Sequence, residues 1–141
     1  MIVMAVDLGQ VRTGIAVSDK GGIFAFPRDI IKERNREKLC EKIVETAKAE
    51  NAERIVMGLP KNIDGSEGEK AEEIRSAKSL IESLTDIPIV LWDERYTTVL
   101  AHRSLAENGI KAKNRKDIVD SVAATVILED YLKYIEKETT K

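Results

Sequence analysis

Apolar residues occur along this chain in two kinds of block, and the alternation of those kinds predicts the fold. Ile2-Val3-Met4-Ala5-Val6 and Ile55-Val56-Met57-Gly58-Leu59 are continuous runs, the pattern of strands buried on both faces. The first makes residues 1–7 a strand, and the second makes residues 54–59 a central parallel one. Gly14-Ile15-Ala16-Val17-Ser18 reads as a further strand, reached through the loop over 8–13. The Gly21-Gly22 pair then turns the chain into residues 23–31, where Pro27 interrupts the run and assigns it to a sheet edge. Three strands so close in sequence predict an antiparallel meander.

Leu39, Ile43, Val44 and Ala47 recur with a helical period, and so do Ile74, Ala77, Leu80, Ile81 and Leu84. Ser66 and Glu69 stand in capping-box register ahead of the second helix. Pro88 precedes a fifth strand over 89–92. Thr97 or Thr98 caps a short helix ending near Gly109. Asn114 caps the last helix, which runs to about Tyr134 and leaves residues 136–141 to fray. The order is βββαβαβαα. It predicts an α/β fold in one domain over 1–141, with a five-stranded mixed sheet of three antiparallel then two parallel strands flanked by helices.

Composition narrows the classes. A chain of 141 residues is one domain with room for a substantial core. The charged fraction of 34% is high, and Lys and Glu abound while Gln10 is the only glutamine, a thermophile-like balance. A formal charge of −2 means that any polyanion must be met by local basic patches. Cys40 is the single cysteine; it lies beside a helix's apolar stripe and reads as packing. No run approaches the ~20 apolar residues needed to cross a bilayer. No secretion pattern opens the chain, so the expected location is the cytoplasm and no membrane partner is expected.

Three acids sit where elements end or begin. Asp7 continues the first buried strand, where a carboxylate without a partner is costly. Asp93 and Glu94 close the fifth strand; side chains alternate along a strand, so only one of them shares a face with the first acid, and register alone does not say which. Asp120 opens the last apolar stripe, with Ala123, Ala124, Ile127, Leu128 and Tyr131 following at helical spacings. Asp117, one turn earlier, is either an auxiliary ligand or a favourable acid of the first turn. Acids converging from strand ends and a helix repel one another unless divalent cations hold them, and hard oxygen ligands suit Mg²⁺ or Mn²⁺. Metal-assisted phosphodiester hydrolysis uses such a site.

Around these acids lie candidate phosphate contacts. Gly9 and Gly14 bracket an Asp-x-Gly turn of the kind found in phosphate-binding hairpins, with Arg12 inside it. Lys61, Asn62 and Ser66 lie in the loop beyond the central strand, where α/β sheets bind ligands. Arg95, Thr97 and Thr98 begin a helix whose amides can receive an anion. His102, the only histidine, reads as a surface or packing residue. Lys111, Lys113, Arg115 and Lys116 form the densest basic cluster, suited to salt-sensitive, sequence-independent backbone contact. With one Trp, three Tyr and two Phe, the chain promises no stacking platform and points to backbone rather than base readout.

Taken together, Val6-Asp7-Leu8-Gly9, Arg12-Thr13-Gly14-Ile15-Ala16-Val17-Ser18-Asp19, Gly58-Leu59-Pro60, Asp64-Gly65, Asp93-Glu94-Arg95 with Thr97-Thr98, and Asp120 with Ala123-Ala124 resemble the YqgF (RuvX) family over nearly the whole chain. The resemblance implies a ribonuclease H-like fold and a metal-dependent nuclease of the RuvC-like branch. It places Asp7, Glu94 and Asp120 at the family's acidic triad, which favours Glu94 over Asp93. It implies a role in processing the 5′ end of pre-16S ribosomal RNA, with pre-rRNA and the ribosome or its precursors as partners. Holliday-junction resolution on structured DNA is the alternative. Gln10-Val11 departs from the small or basic residues expected before Arg12.

The mechanism that follows from the resemblance has Asp7 bridging two Mg²⁺ ions ~3.5–4 Å apart, with Glu94 and Asp120 each completing one shell. A junction resolvase needs a two-fold dimer; the sequence displays no dimer surface, so RNA processing ranks first and the chain is expected as monomer or homodimer. An actin- or hexokinase-like phosphotransferase shares the hairpin but needs two such domains. A catalytically silent RNA-binding module would have to carry three acids on a surface meant for phosphate.

Overall fold

The computed structural model describes residues 1–62 and 64–94 and the helix over 112–139, with side chains in that helix described over 122–136. In chain order the elements are β1 (Val3–Asp7), β2 (Arg12–Ser18), β3 (Ala25–Lys32), α1 (Arg36–Ala49), β4 (Arg54–Leu59), α2 (Glu69–Leu84), β5 (Ile89–Asp93) and α3 (Ala112–Thr139). The sheet runs β3-β2-β1-β4-β5. β1, β2 and β3 pair antiparallel, and β1, β4 and β5 pair parallel. The mixed α/β sheet read from the sequence is therefore the observed one, and β3, which carries Pro27, is an edge strand. The short helix expected over 97–109 lies outside the described residues.

Strand alternation divides the core into two layers. Met4, Val6, Ile15, Val17, Ile55, Met57 and Leu59 point to one face and meet Leu39, Ile43 and Ala47 of α1 and Ile74, Ala77 and Ile81 of α2. Val3, Ala5, Ala16 and Val56 point to the other face, under Ala124, Ile127, Leu128, Tyr131 and Leu132 of α3. Cover on both sides is why β1 and β4 read as unbroken apolar runs. Burying a Leu or Ile side chain contributes ~1.5–3 kcal/mol. Cys40 belongs to the first layer, its Sγ 3.9 Å from the Ala77 carbonyl oxygen, and burial pushes its thiol pKa up.

Turn and cap chemistry sets the boundaries. Asn35 caps α1, its Oδ1 accepting from the Lys38 amide at 2.9 Å. Asn51, at φ 59°, takes the left-handed conformation just beyond it. The expected capping box of α2 does not form: Gly68 is the N-cap and makes no side-chain cap bond. Ser66 is instead held by Asp64, whose Oδ1 accepts from the Ser66 amide at 2.9 Å and its hydroxyl at 2.6 Å. An Asx turn thus competes successfully for the hydroxyl. Leu84, expected on the buried stripe, is exposed as the last residue of α2, while Ile81 in the same turn is buried. The final helix is also longer than expected. It begins two residues ahead of Asn114, so Asn114 lies inside it, and it continues through residues expected to fray. Asp120 consequently sits in the third turn rather than at the helix head. None of the described helices is long and apolar enough to cross a membrane.

Candidate functional site

The parallel strands β1, β4 and β5 bring their carboxyl ends to one edge of the sheet, with Gly58 opposite Trp92 and Leu59 opposite Asp93. Alternation orients the strand residues around these ends. In β1, Val3 and Ala5 face α3, so Asp7, two residues on, faces it as well. In β5, Val90 and Trp92 face α3 while Leu91 belongs to the opposite layer, as Asp93 does by the same pleat. Glu94 follows just beyond the end of the strand.

Contacts agree with this placement. The carboxyl groups of Asp7 and Glu94 are hydrogen-bonded to each other. A β-carbon added to Gly58 would lie 2.6 Å from Glu94 Oε1 and 2.7 Å from Ile127 Cδ1, so with glycine there the Glu94 carboxylate and the Ile127 tip keep their present places. Removal from water raises the Glu94 pKa; the Lys70 ammonium and the Asp7 hydrogen bond pull it back, and the Asp93 charge pushes it up. Two abutting carboxyls share a proton or a cation; both ionised in one half-buried place would be strongly unfavourable.

Asp120 lies in α3 seven residues before Ile127, two turns nearer the start of a helix whose Ile127 is already beside Gly58. The side chains of Asp120, Asp117, Lys113, Arg115 and Lys116 lie outside the described ones, as do residues Arg95, Thr97, Thr98, His102 and Lys111 entirely. Among the described residues no three acidic, histidine or cysteine side chains come together as a metal cage. The pair that is described consists of hard oxygen donors on a half-buried ledge, and such a pair fits Mg²⁺ or Mn²⁺ rather than a softer ion.

The loops that frame the pair are tightly built. A β-carbon on Gly9 would overlap the Arg12 carbonyl oxygen, so the β1–β2 turn depends on that glycine. The Gly9 amide donates to the buried Thr13 hydroxyl at 3.3 Å, and Arg12 is half-buried at the head of β2. Beyond β4, Asn62 donates its side-chain amide to Ser66 Oγ at 2.9 Å, and its backbone closes the loop on Ser66 and Gly65. Asn62 therefore serves the loop's own fold before any ligand. Lys61 is half-buried. Arg75 grips Glu67 with two bonds of 2.7 and 2.8 Å and so lowers its pKa, with a smaller contribution from the Lys61 charge. Lys70, in the first turn of α2, was not singled out from the sequence. Its only signal there is its place just after the β4 loop.

The RuvX family model, described as Holliday junction resolvase, matches residues 1–134. The chain belongs to the RuvX family. A relative of that kind in Halothermothrix orenii, named "Putative pre-16S rRNA nuclease", is 39% identical over 137 residues, covering 97% of this chain and 98% of its own. One of the same name in Agathobacter rectalis is 38% identical over 138 residues, covering 96% of each. Among solved structures, Thermus thermophilus RuvC in complex with a Holliday junction substrate superposes with a TM-score of 0.62 at 14% identity, over 99% of this chain and 97% of that one. The fowlpox virus resolvase bound to Holliday junction DNA gives 0.51 at 12%, over 97% and 98%. These likenesses show that RuvX and RuvC-type resolvases share the fold. The YqgF (RuvX) resemblance and the RuvC-like sheet expected from the motifs are both borne out.

Proposed function

We propose that this RuvX protein is a metal-dependent nuclease that hydrolyses phosphodiester bonds, with the 5′ end of pre-16S ribosomal RNA as its substrate. The observation that carries the reading is the hydrogen-bonded pair Asp7–Glu94, set at the carboxyl ends of β1 and β5 on the face that α3 covers. The names of the full-length relatives support the substrate. Asp7, Glu94 and Asp120 would hold Mg²⁺ or Mn²⁺, two ions for three acids, with Asp117 as an auxiliary ligand. Bound there, such cations would lower the pKa of a water and offset charge on the phosphate.

The chain's own groups do the positioning. Gly58 keeps the space beside the Glu94 carboxylate clear of any β-carbon. Lys70, close enough to Glu94 to act on its charge, can meet the phosphate that approaches the acids. Arg12 and Lys61 stand at the two loops flanking the strand ends. Arg95, Thr97, Thr98 and the cluster Lys111, Lys113, Arg115 and Lys116 would grip the nucleic-acid backbone in a salt-dependent way. No side-chain nucleophile is needed. The rRNA substrate also carries the proposal that the protein works in the cytoplasm.

The family description and the fold shared with junction-bound resolvases favour a second reading, cleavage of a four-way DNA junction. A side-by-side cleavage assay separates the two. Wild type and Asp7→Asn would meet a pre-16S 5′-leader RNA and a synthetic four-way junction, each with Mg²⁺, Mn²⁺ or EDTA. RNA cut by wild type alone and only with metal is the expected result. Symmetric nicking of the junction alone would replace rRNA processing by resolution. Metal-dependent cutting by Asp7→Asn would sink the carboxylate mechanism, and no cutting of either substrate would leave a binding module.

A further inference from the structure

The open edge of the sheet and the turn that leads into it are built in opposite ways. Along β3 the edge is blunted by Pro27, by the charged Arg28 and Asp29, and by a break in register opposite Thr13–Ile15. Such devices keep an edge strand from pairing with another chain. The turn ahead of it does the reverse. Ile23 is 70% exposed and Phe24 62%, with Met1 at 47% beside them and Phe26 at 44% just beyond.

Neither side chain is needed to hold that turn. Asp19 Oδ1 accepts from the Ile23 and Phe24 amides at 2.8 and 3.0 Å. The Asp19 amide donates to the Phe24 carbonyl at 3.2 Å, and the Gly22 amide to the Asp19 carbonyl at 3.1 Å. Residues 22–24 take part through backbone atoms alone, so Ile23 and Phe24 stand as an apolar knob on a fixed base. Preorganisation of this kind lowers the ordering cost of binding.

Beside the knob lies a hollow of matching character. Between the turn and α3 runs a groove of 360 Å³ lined by Met1, Val3, Gly22, Leu132 and Ile135. Gly22 takes φ 67°, and a β-carbon there would reach Leu132 Cδ2 at 3.8 Å and fill part of the groove. The adjoining α3 rim carries charges of both signs, Glu129 and Lys133. Knob and groove on one surface are complementary to themselves. A two-fold axis between them seats Ile23 and Phe24 of each copy in the groove of the other and lets Glu129 of one copy face Lys133 of the second.

The amount of surface fits the same occupant. Met1, Ile23, Phe24 and Phe26 leave roughly 400–500 Å² open, taking ~150–250 Å² for a large side chain. A standard homodimer interface takes ~800 Å² from each copy, ~65% of it apolar, so this patch supplies most of the apolar share. We infer that the protein forms a two-fold homodimer through the β2–β3 turn and the groove beside the C-terminal half of α3. The sequence displayed no such surface because the groove exists only once α3 lies against the turn. Val3 lines the groove and Asp7 stands four residues on, about 13 Å along β1. This dimer therefore keeps the two acid pairs apart and covers neither, and nothing in it depends on which nucleic acid is cut.

Sedimentation equilibrium of the full chain across a micromolar concentration range tests the dimer, with the fold of each variant checked by far-ultraviolet circular dichroism. Wild type should pass reversibly from the 15.7 kDa monomer to twice that mass. Phe24→Glu puts a charge into the groove and should raise the dissociation constant about 30-fold or more, as loss of a buried aromatic anchor does. The turn's bonds run through the backbone, so the variant should remain folded. Leu84→Glu, the same kind of change at an exposed residue of α2, should dimerise as wild type does. A wild type that stays monomeric throughout would overturn the inference and leave the patch to a different partner. So would a dimer indifferent to Phe24→Glu, or one that Leu84→Glu dissociates as readily. Mass that keeps growing with concentration would overturn it too, since an open contact and not a closed two-fold would then be at work.

Discussion

On the α1/α2 side of the sheet, Met4, Val6, Ile55 and Met57 meet Leu39, Ile43, Ile74 and Ile81, and the layer keeps one chemistry from end to end. On the α3 side the same strands begin alike, with Val3, Ala5 and Val56 under Leu128 and Tyr131, but end in Asp7, Gly58 and Glu94. The strands and their pleat are shared, so the difference lies in which residue stands at the last outward position of each. One face is available to carry stability because it asks nothing else of its side chains. The other gives up apolar contact at its carboxyl end, leaves out a β-carbon, and brings together two acids that repel. A site of this kind belongs at a strand end, where the cover is a helix margin and water or an ion can still reach it.

The widest separation between the faces should appear as activity against stability. Glu94→Gln keeps the shape of the side chain and removes its charge. It should lower metal-dependent cleavage on the order of 10⁴-fold, as loss of a central catalytic group does, with far-ultraviolet circular dichroism unchanged. Ile74→Ala, in the opposite layer and fully buried, should do the reverse. It should cost ~2–5 kcal/mol in denaturant unfolding and leave kcat/KM as in wild type wherever the variant is folded. If Ile74→Ala lost cleavage while folded, the division of labour between the faces would be wrong.

Much of this division was legible in the residues. Unbroken apolar runs in β1 and β4 required cover on both faces, and Pro27 marked the edge, because these signals are set by burial and by a missing backbone donor. The site was legible in part. Asp7 announced itself as an acid continuing a buried strand. Register alone could not separate Glu94 from Asp93, since the residue at which a strand stops shifts the face of everything after it; the family resemblance favoured Glu94, and its contacts with Asp7 and beside Gly58 are visible only in the fold. Ser66 was misassigned as a helix cap because Asp64 and Glu69 both offer it a local partner, and the sequence does not say which wins. The cluster of the Trp92, Tyr131 and Tyr134 rings was invisible for a different reason: they are joined only by the packing of β5 beside the end of α3.

Gly58→Ala sharpens the comparison at the point where the layers differ most. The added methyl meets Glu94 Oε1 at 2.6 Å and Ile127 Cδ1 at 2.7 Å, so the carboxylate and the tip of the Ile127 side chain must both shift. Both contacts are with side-chain ends that can move, so the cost in stability should fall at or below the low end of the ~1–3 kcal/mol of overpacking. Because the nearer neighbour is the Glu94 carboxylate itself, the loss should fall on cleavage more than on thermal stability. A variant that cuts as well as wild type would show that the position of Glu94 against β4 is not what the reaction uses.

The smallest effect has the opposite sign to all of these. Burial raises the Glu94 pKa in the folded chain above its ordinary 4.5, the Lys70 charge and the Asp7 hydrogen bond notwithstanding. The folded state therefore holds this proton more tightly than the unfolded one, and stability slopes downward with pH between the two pKa values. Without a cation, the contribution is complete below the unfolded pKa and is lost as pH rises through the folded one. Glu94→Gln, uncharged throughout, has no such proton to lose. In EDTA its melting temperature should stay above that of wild type at neutral pH, the gap closing as pH falls toward 4. Adding Mg²⁺ should reverse the order, because only wild type then gains the linkage energy of a bound ion. Parallel melting curves for the two proteins in EDTA across that pH range would mean that Glu94 bears no desolvation cost, and that the acid end of the α3 face is less different from the apolar face than its side chains suggest.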